Sequence, residues 1–100
     1  MHQSVIDWLA APRGLFIDGG ESPASSGKRL SILNPARGEV LAEVDEAGSE
    51  DVDRAVAAAS RAFEAPSWRR MPPSERQALL LRIASGIEAK REELGWIESL

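Results

Sequence analysis

The sequence predicts an α/β chain, strands first and helices after, whose helices still need a surface to lie on. Three observations carry this. Short apolar runs at residues 15–17, 30–33 and 40–44 stand between clusters of Gly, Pro, Ser and Asn, the pattern of strands and their turns. From Ser49 onward the period lengthens: Val52, Ala55, Val56, Ala59 and Phe63 fall at spacings of three and four, and so do Leu79, Leu80, Ile83, Ala84 and Ile87. A helix cannot bury its own stripe, so each of these needs the other or a third surface.

The leader, residues 1–14, reads as one short helix. Ser4 and Asp7 have the spacing of a capping box ahead of Val5, Ile6, Trp8 and Leu9, and Pro12 and Gly14 end it. His2, the single histidine, is read as a solvated end rather than a ligand.

Residues 15–47 read as strands. Leu15–Ile17 is stopped by Gly19 and Gly20, and residues 22–28 form a loop rich in Ser, Pro and Gly. The next strand, Leu30–Leu33, runs into Asn34-Pro35-Ala36-Arg37-Gly38. There Asn opens a turn, Pro fixes φ, and Gly takes the left-handed position before the chain returns through Val40, Ala42 and Val44. One hairpin is expected across this turn, with Leu15–Ile17 pairing against it.

Residues 49–100 read as helices. Ser49 is expected to cap the first, with Glu50, Asp51 and Asp53 on the positive end of its dipole and Glu50 paired to Arg54. Pro66 is expected to stop that helix after Phe63. Trp68 is expected to plug the gap between helices while Arg69 and Arg70 bond nearby carboxylates or carbonyls. Pro73 suits the first position of the second helix, since its missing donor is not needed there. Gly86, costly in mid-helix, implies a closely approaching neighbour. A break near Lys90 starts a third helix. Leu100 stands in mid-pattern, which predicts that the sequence continues.

Composition excludes several functions. The 100 residues carry a net charge of -4, which disfavours nucleic acid as a partner. Zero cysteines rule out disulfides, thiolate metal sites and a Cys nucleophile within this stretch. No window approaches about 20 apolar residues, so no membrane helix is expected, and the start lacks the basic region of a secretory signal; a cytoplasmic location is the expectation. Ser25-Ser26-Gly27-Lys28 imitates the end of a phosphate-binding loop. Ser22 replaces its first Gly, however, and Arg29 stands where Ser or Thr would hold Mg²⁺, so a tight surface turn is the better account.

Taken together, Leu15-Phe-Ile-Asp-Gly19, Leu33-Asn-Pro-Ala-Arg-Gly-Glu39, Glu50 through Ala59, Ala62-Phe63, Trp68 through Arg76 and Glu93 through Leu100 resemble, in order and spacing, the start of the NAD(P)-dependent aldehyde dehydrogenase superfamily. The resemblance covers residues 15–100. The leader, on through Gly14-Leu-Phe-Ile-Asp-Gly19 and the loop to Arg29-Leu-Ser-Ile32, is most similar to bacterial phenylacetaldehyde-type members. The resemblance implies a much longer subunit with a Rossmann-like cofactor domain, a catalytic domain and an oligomerisation arm, assembled as a dimer or tetramer. Residues 1–100 would be an incomplete N-terminal part of the cofactor domain: leader 1–14, strands 15–47, helices 49–100. The implied chemistry is attack of a Cys thiolate on an aldehyde, hydride transfer to NAD or NADP, and release of the acid by a Glu-activated water. None of those residues is present, so no catalytic or cofactor-binding residue is assigned, and the role expected of this stretch is structural. One family feature lands partly here: a monovalent cation held by main-chain carbonyls before the Asn-Pro turn, at Ile32 and Leu33. Ile32 replaces the hydroxyl residue some members carry there. An alternative of another class remains open, a stand-alone small acidic α+β module that binds a protein partner through its Leu/Ile stripe.

Overall fold

A computed structural model describes residues 2–100. Helix α1 spans Gln3–Ala10 and is capped by His2 in an extended conformation. Ser4 therefore lies inside the first turn, and the expected Ser4–Asp7 box does not form; the Gln3 amide donates to Asp7 instead, at 2.8 Å. Starting at Gln3 puts Val5 and Leu9 one turn apart on the inner side, and Val5 is the most buried apolar side chain, 1% exposed.

Strands β1 (Leu15–Ile17) and β2 (Gly20–Ser22) form their own antiparallel hairpin. This corrects the expectation that Leu15–Ile17 pairs across the later turn. The reason is local: Asp18 and Gly19 both take positive φ, 55° and 78°, the pair of left-handed residues that a two-residue hairpin turn requires. Gly20 thus opens a strand instead of ending one.

Strands β3 (Arg29–Asn34) and β4 (Glu39–Asp45) form the expected hairpin. Asn34 organises its turn: its side-chain oxygen accepts the Ala36 N–H at 2.9 Å and its carbonyl accepts the Gly38 N–H at 2.7 Å, with Gly38 at φ 69°. Ile32 faces Ala42 but Leu33 faces Val40, so Leu41 is an extra residue, a bulge on β4. The two hairpins stay separate sheets. They are linked through Arg13, whose N–H donates to the Glu43 carbonyl at 3.1 Å and whose carbonyl accepts the Asp45 N–H at 2.8 Å.

Helix α2 spans Ser49–Glu64, with Gly48 and not Ser49 at the cap. Pro66 does not simply end it; Pro66 occupies the first position of a single-turn helix, α3 (Pro66–Arg69). Helix α4 spans Pro73–Ala89 with Pro72 at its cap, and α5 spans Arg91–Ser99 after the break at Lys90, both as the sequence indicates. Glu75 N–H donates to the Pro72 carbonyl at 3.0 Å. Around Gly86 no atom lies within 4 Å of where a Cβ would be, so the close neighbour expected there is not part of this chain as described.

Trp68 does not plug a helical gap: it is 38% exposed at the α3–α4 corner. Arg76, not Arg69 or Arg70, takes up its carbonyl, donating at 2.7 Å while its guanidinium lies 4.5 Å from the ring centroid. Arg13 repeats the arrangement on Trp8, donating to its carbonyl at 3.0 Å and stacking at 4.9 Å. The reason is reach: Arg76 sits in the first turn of α4 and its guanidinium extends back onto Trp68, whereas Arg69 ends α3 and Arg70 is its C-cap.

The two helical stripes do not meet. The β1–β2 hairpin lies against the alanine side of α2, burying Ala58 and half-burying Ala55. Val52, Val56 and Phe63 remain exposed, as do Leu80, Leu81, Ile83 and Ile87 of α4. The dimensions agree: 48 × 34 × 19 Å, with a radius of gyration of 17.0 Å, against about 13 Å for a compact 100-residue domain.

Candidate functional site

The one fully buried charge among the described residues is Asp51, 1% exposed, in the first turn of α2. Its carboxylate accepts the Gly48 N–H at 2.9 Å, the Ser25 N–H at 3.1 Å, the Ser25 hydroxyl at 3.0 Å and the Arg54 guanidinium at 2.7 Å. Chief among the causes, the Gly48 N–H and then Arg54 hold this carboxyl well below the usual carboxylate range, with Ser25 adding to them; burial works the other way and is outweighed. The pair expected between Glu50 and Arg54 is replaced by Arg54–Asp51, because Asp51 is anchored and Arg54 lies one turn along.

This arrangement decides the fate of Ser25-Ser26-Gly27-Lys28. A phosphate loop aims its backbone N–H groups at an anionic ligand. Here the Ala24 N–H is taken by the Asp45 carboxylate at 2.8 Å and the Ser25 N–H by Asp51. The Ser26 hydroxyl donates to the Glu46 carbonyl at 2.8 Å and accepts the Lys28 N–H at 3.1 Å. Two carboxylates take the N–H groups a phosphate would need, so the loop does not fit a nucleotide phosphate. It is a surface turn tied to α2. The dipole role expected of Asp51 is only part of what its carboxylate does. Its acid position three residues past the cap was legible, but its partner Ser25, 26 residues upstream, was not.

The other singled-out residues lie apart. Ile32 and Leu33 are both exposed on β3, beside the register shift. His2 is at the far end, its Nε2 2.9 Å from a Glu92 carboxylate oxygen. Among the described residues no group of three or more His, Cys, Asp or Glu is placed to hold a metal ion, and no helix is long and apolar enough to cross a membrane.

The geometry is thus that of a scaffold: two pinned hairpins, and helices with open apolar faces. A model of the aldehyde dehydrogenase family matches residues 22–100. The chain belongs to the aldehyde dehydrogenase family. It is 48% identical over 99 residues to an aminoacetaldehyde dehydrogenase of Pseudomonas aeruginosa, covering 99% of this chain and 20% of that protein. It is 42% identical over 95 residues to a phenylacetaldehyde dehydrogenase of Pseudomonas fluorescens, covering 95% of this chain and 19% of that one. Its structure superposes on an aldehyde dehydrogenase from Bacillus cereus solved as its NAD+ complex, with a TM-score of 0.94 and 41% identity, over 100% of this chain and 20% of that one. The chain spans about a fifth of the length of the family members it matches. The open faces of α2 and α4 accord with that proportion.

Proposed function

We propose that this chain is the N-terminal portion of an enzyme that oxidises an aldehyde to a carboxylic acid with NAD or NADP. The portion itself is structural and carries no catalytic residue. The observation that supports this is the superposition of the whole chain on one fifth of a dehydrogenase solved with NAD+. Within that reading, residues 1–100 form an incomplete part of the cofactor-binding domain, and their exposed stripes cover apolar surface of the remainder. The enzyme is proposed to be a cytoplasmic homo-oligomer. Its aldehyde is to be sought among the two chemistries its relatives' names suggest, a small amino aldehyde and an aryl acetaldehyde.

The reading also gives β3 a part in a monovalent cation site, through the carbonyls of Ile32 and Leu33, beside the register shift of the β3–β4 hairpin, with the remaining ligands supplied from outside this stretch.

The test is to express the complete reading frame that contains this sequence and to follow NAD(P)H formation with aminoacetaldehyde and phenylacetaldehyde. Reduction of the cofactor by either supports the proposal, with residues 1–100 alone giving none. A stop codon directly after Leu100 would overturn it and favour a stand-alone interaction module.

A further inference from the structure

The β1–β2 hairpin has three residues in each strand, and a two-stranded hairpin of that size is marginal in water. Both of its bases reach one residue, Asp45, the last of β4. Ahead of β1, the Arg13 carbonyl accepts the Asp45 N–H at 2.8 Å. After β2, the N–H of the buried Ala24 donates to the Asp45 carboxylate, also at 2.8 Å. The other oxygen of that carboxylate lies 3.4 Å from the guanidinium of Arg29, its partner across the β3–β4 ladder. Drawing both bases to one point brings their backbones together. A Cβ on Gly14 would stand 2.7 Å from the Ser22 carbonyl oxygen and 3.2 Å from the Glu21 Cγ. Gly14 is not among the residues with positive φ, so space and not backbone conformation excludes a side chain there. Its N–H donates across the gap to the Glu21 carboxylate at 2.7 Å.

We infer that Asp45 is a positioning residue, the clasp that closes the base of the β1–β2 hairpin and holds it against α2, and that Gly14 is what lets the two ends meet. Tying residues 13 and 24 to one point removes freedom that the short ladder would regain on fraying. The two halves of the clasp differ in kind. The main-chain N–H of Asp45 fixes the β1 end whatever its side chain, whereas the carboxylate fixes the β2 end, so a substitution at Asp45 releases the β2 end alone.

Amide hydrogen exchange on the protein expressed in its complete reading frame tests this. Asp45→Ala leaves the buried Ala24 N–H without its charged acceptor and should accelerate exchange of the β1–β2 amides about tenfold. Asp45→Asn keeps an oxygen for Ala24 while losing the charge that faces Arg29, and should accelerate it no more than about threefold. Gly14→Ala, with Asp45 intact, should match Asp45→Ala, because the added methyl wedges the two bases apart. Gly20→Ala, where a Cβ meets nothing within 4 Å, should stay at the parent level. The turn end of β3–β4, around Asn34 and Glu39, should not change in any of the four. Equal acceleration by Asp45→Asn and Asp45→Ala would assign the effect to the charge on Arg29 and overturn the inference. So would a Gly14→Ala variant no different from Gly20→Ala, or an Asp45→Ala effect confined to β3 and β4.

Discussion

The N–H and the hydroxyl of Ser25 both end on the carboxylate of Asp51, 26 residues along the chain, at 3.0 to 3.1 Å. The contact joins the loop after β2 to the first turn of α2. The same carboxylate takes the cap N–H of Gly48, so one side chain closes the loop, starts the helix and fixes the angle between them.

Replacing Asp51 with Asn keeps its shape and removes its charge. An amide presents N–H groups where Ser25 and Gly48 also present theirs, so at least one donor faces another. The loop over residues 23–28 is expected to detach, shown by faster exchange of the Ser25 amide and new proteolytic nicks there.

Acid should reproduce this. The Asp51 carboxyl is depressed in the folded chain, so its contribution is fully present above the unfolded carboxylate value, about 3.9. It is lost as pH falls from there toward the lower folded value. Helical circular dichroism of the parent should therefore hold from neutrality to about pH 4 and decline below it, and the Asn variant should lack that component of the decline. An identical acid profile for both proteins would remove Asp51 from its central place.

The turn at residues 34–38 offers a test confined to the backbone. Gly38 sits at φ 69° with nothing within 4 Å of an added Cβ, so Gly38→Ala meets strain but no clash. The cost should be about 1 kcal/mol, which is roughly a fivefold acceleration of exchange for the amides of β3 and β4. The β1–β2 hairpin, which shares no ladder with them, should not change.

How much of this was legible in the sequence follows from the range of each interaction. The Asn34–Gly38 turn, the Pro72–Pro73 helix start and the Lys90 break depend on residues a few positions apart, and the sequence shows them directly. The Asp18–Gly19 turn is equally local, but Gly19-Gly20 after a short apolar run fits a strand stop as well as a hairpin turn, and only the positive φ of Asp18 separates the two. The Asp51–Ser25 tie and the place of Arg76 on Trp68 depend on which rotamer reaches across a gap, and no periodicity encodes that. The stripes of α2 and α4 were visible, but whether they pack on each other is set by what else is there to bury them.

Those stripes make a prediction about residues 1–100 on their own. Phe63 is 67% exposed and Leu80 66%, an apolar display that drives association in water. The isolated chain is expected to self-associate or to remain weakly structured, without a sharp cooperative melt. Sedimentation should show association that weakens at least about tenfold on Leu80→Lys or Phe63→Lys, since each buried side chain of this size is worth about 1.5 to 3 kcal/mol. A monomer that melts cooperatively would show that the faces need no cover, and would count against the enzyme reading as a whole.

The α3–α4 corner rests on Arg76, whose stack and hydrogen bond on Trp68 act together. Removing both in Arg76→Ala should cost about 1 to 2 kcal/mol, from a cation–π contact of about 0.5 to 1 and a net hydrogen bond of about 1. Arg76→Lys should recover only part of it, because an ammonium cannot cover the ring and reach the carbonyl with a planar fork. With Trp8 and Trp96 changed to Phe, Trp68 fluorescence reports the corner alone: collisional quenching should rise in Arg76→Ala and stay at the parent level in Arg69→Ala and Arg70→Ala. The distinction matters because Trp68-Arg69-Arg70 invites a reading as one cationic motif. Should Arg69→Ala expose the ring as much as Arg76→Ala does, the adjacent arginines, and not the one eight residues on, would be what shields it.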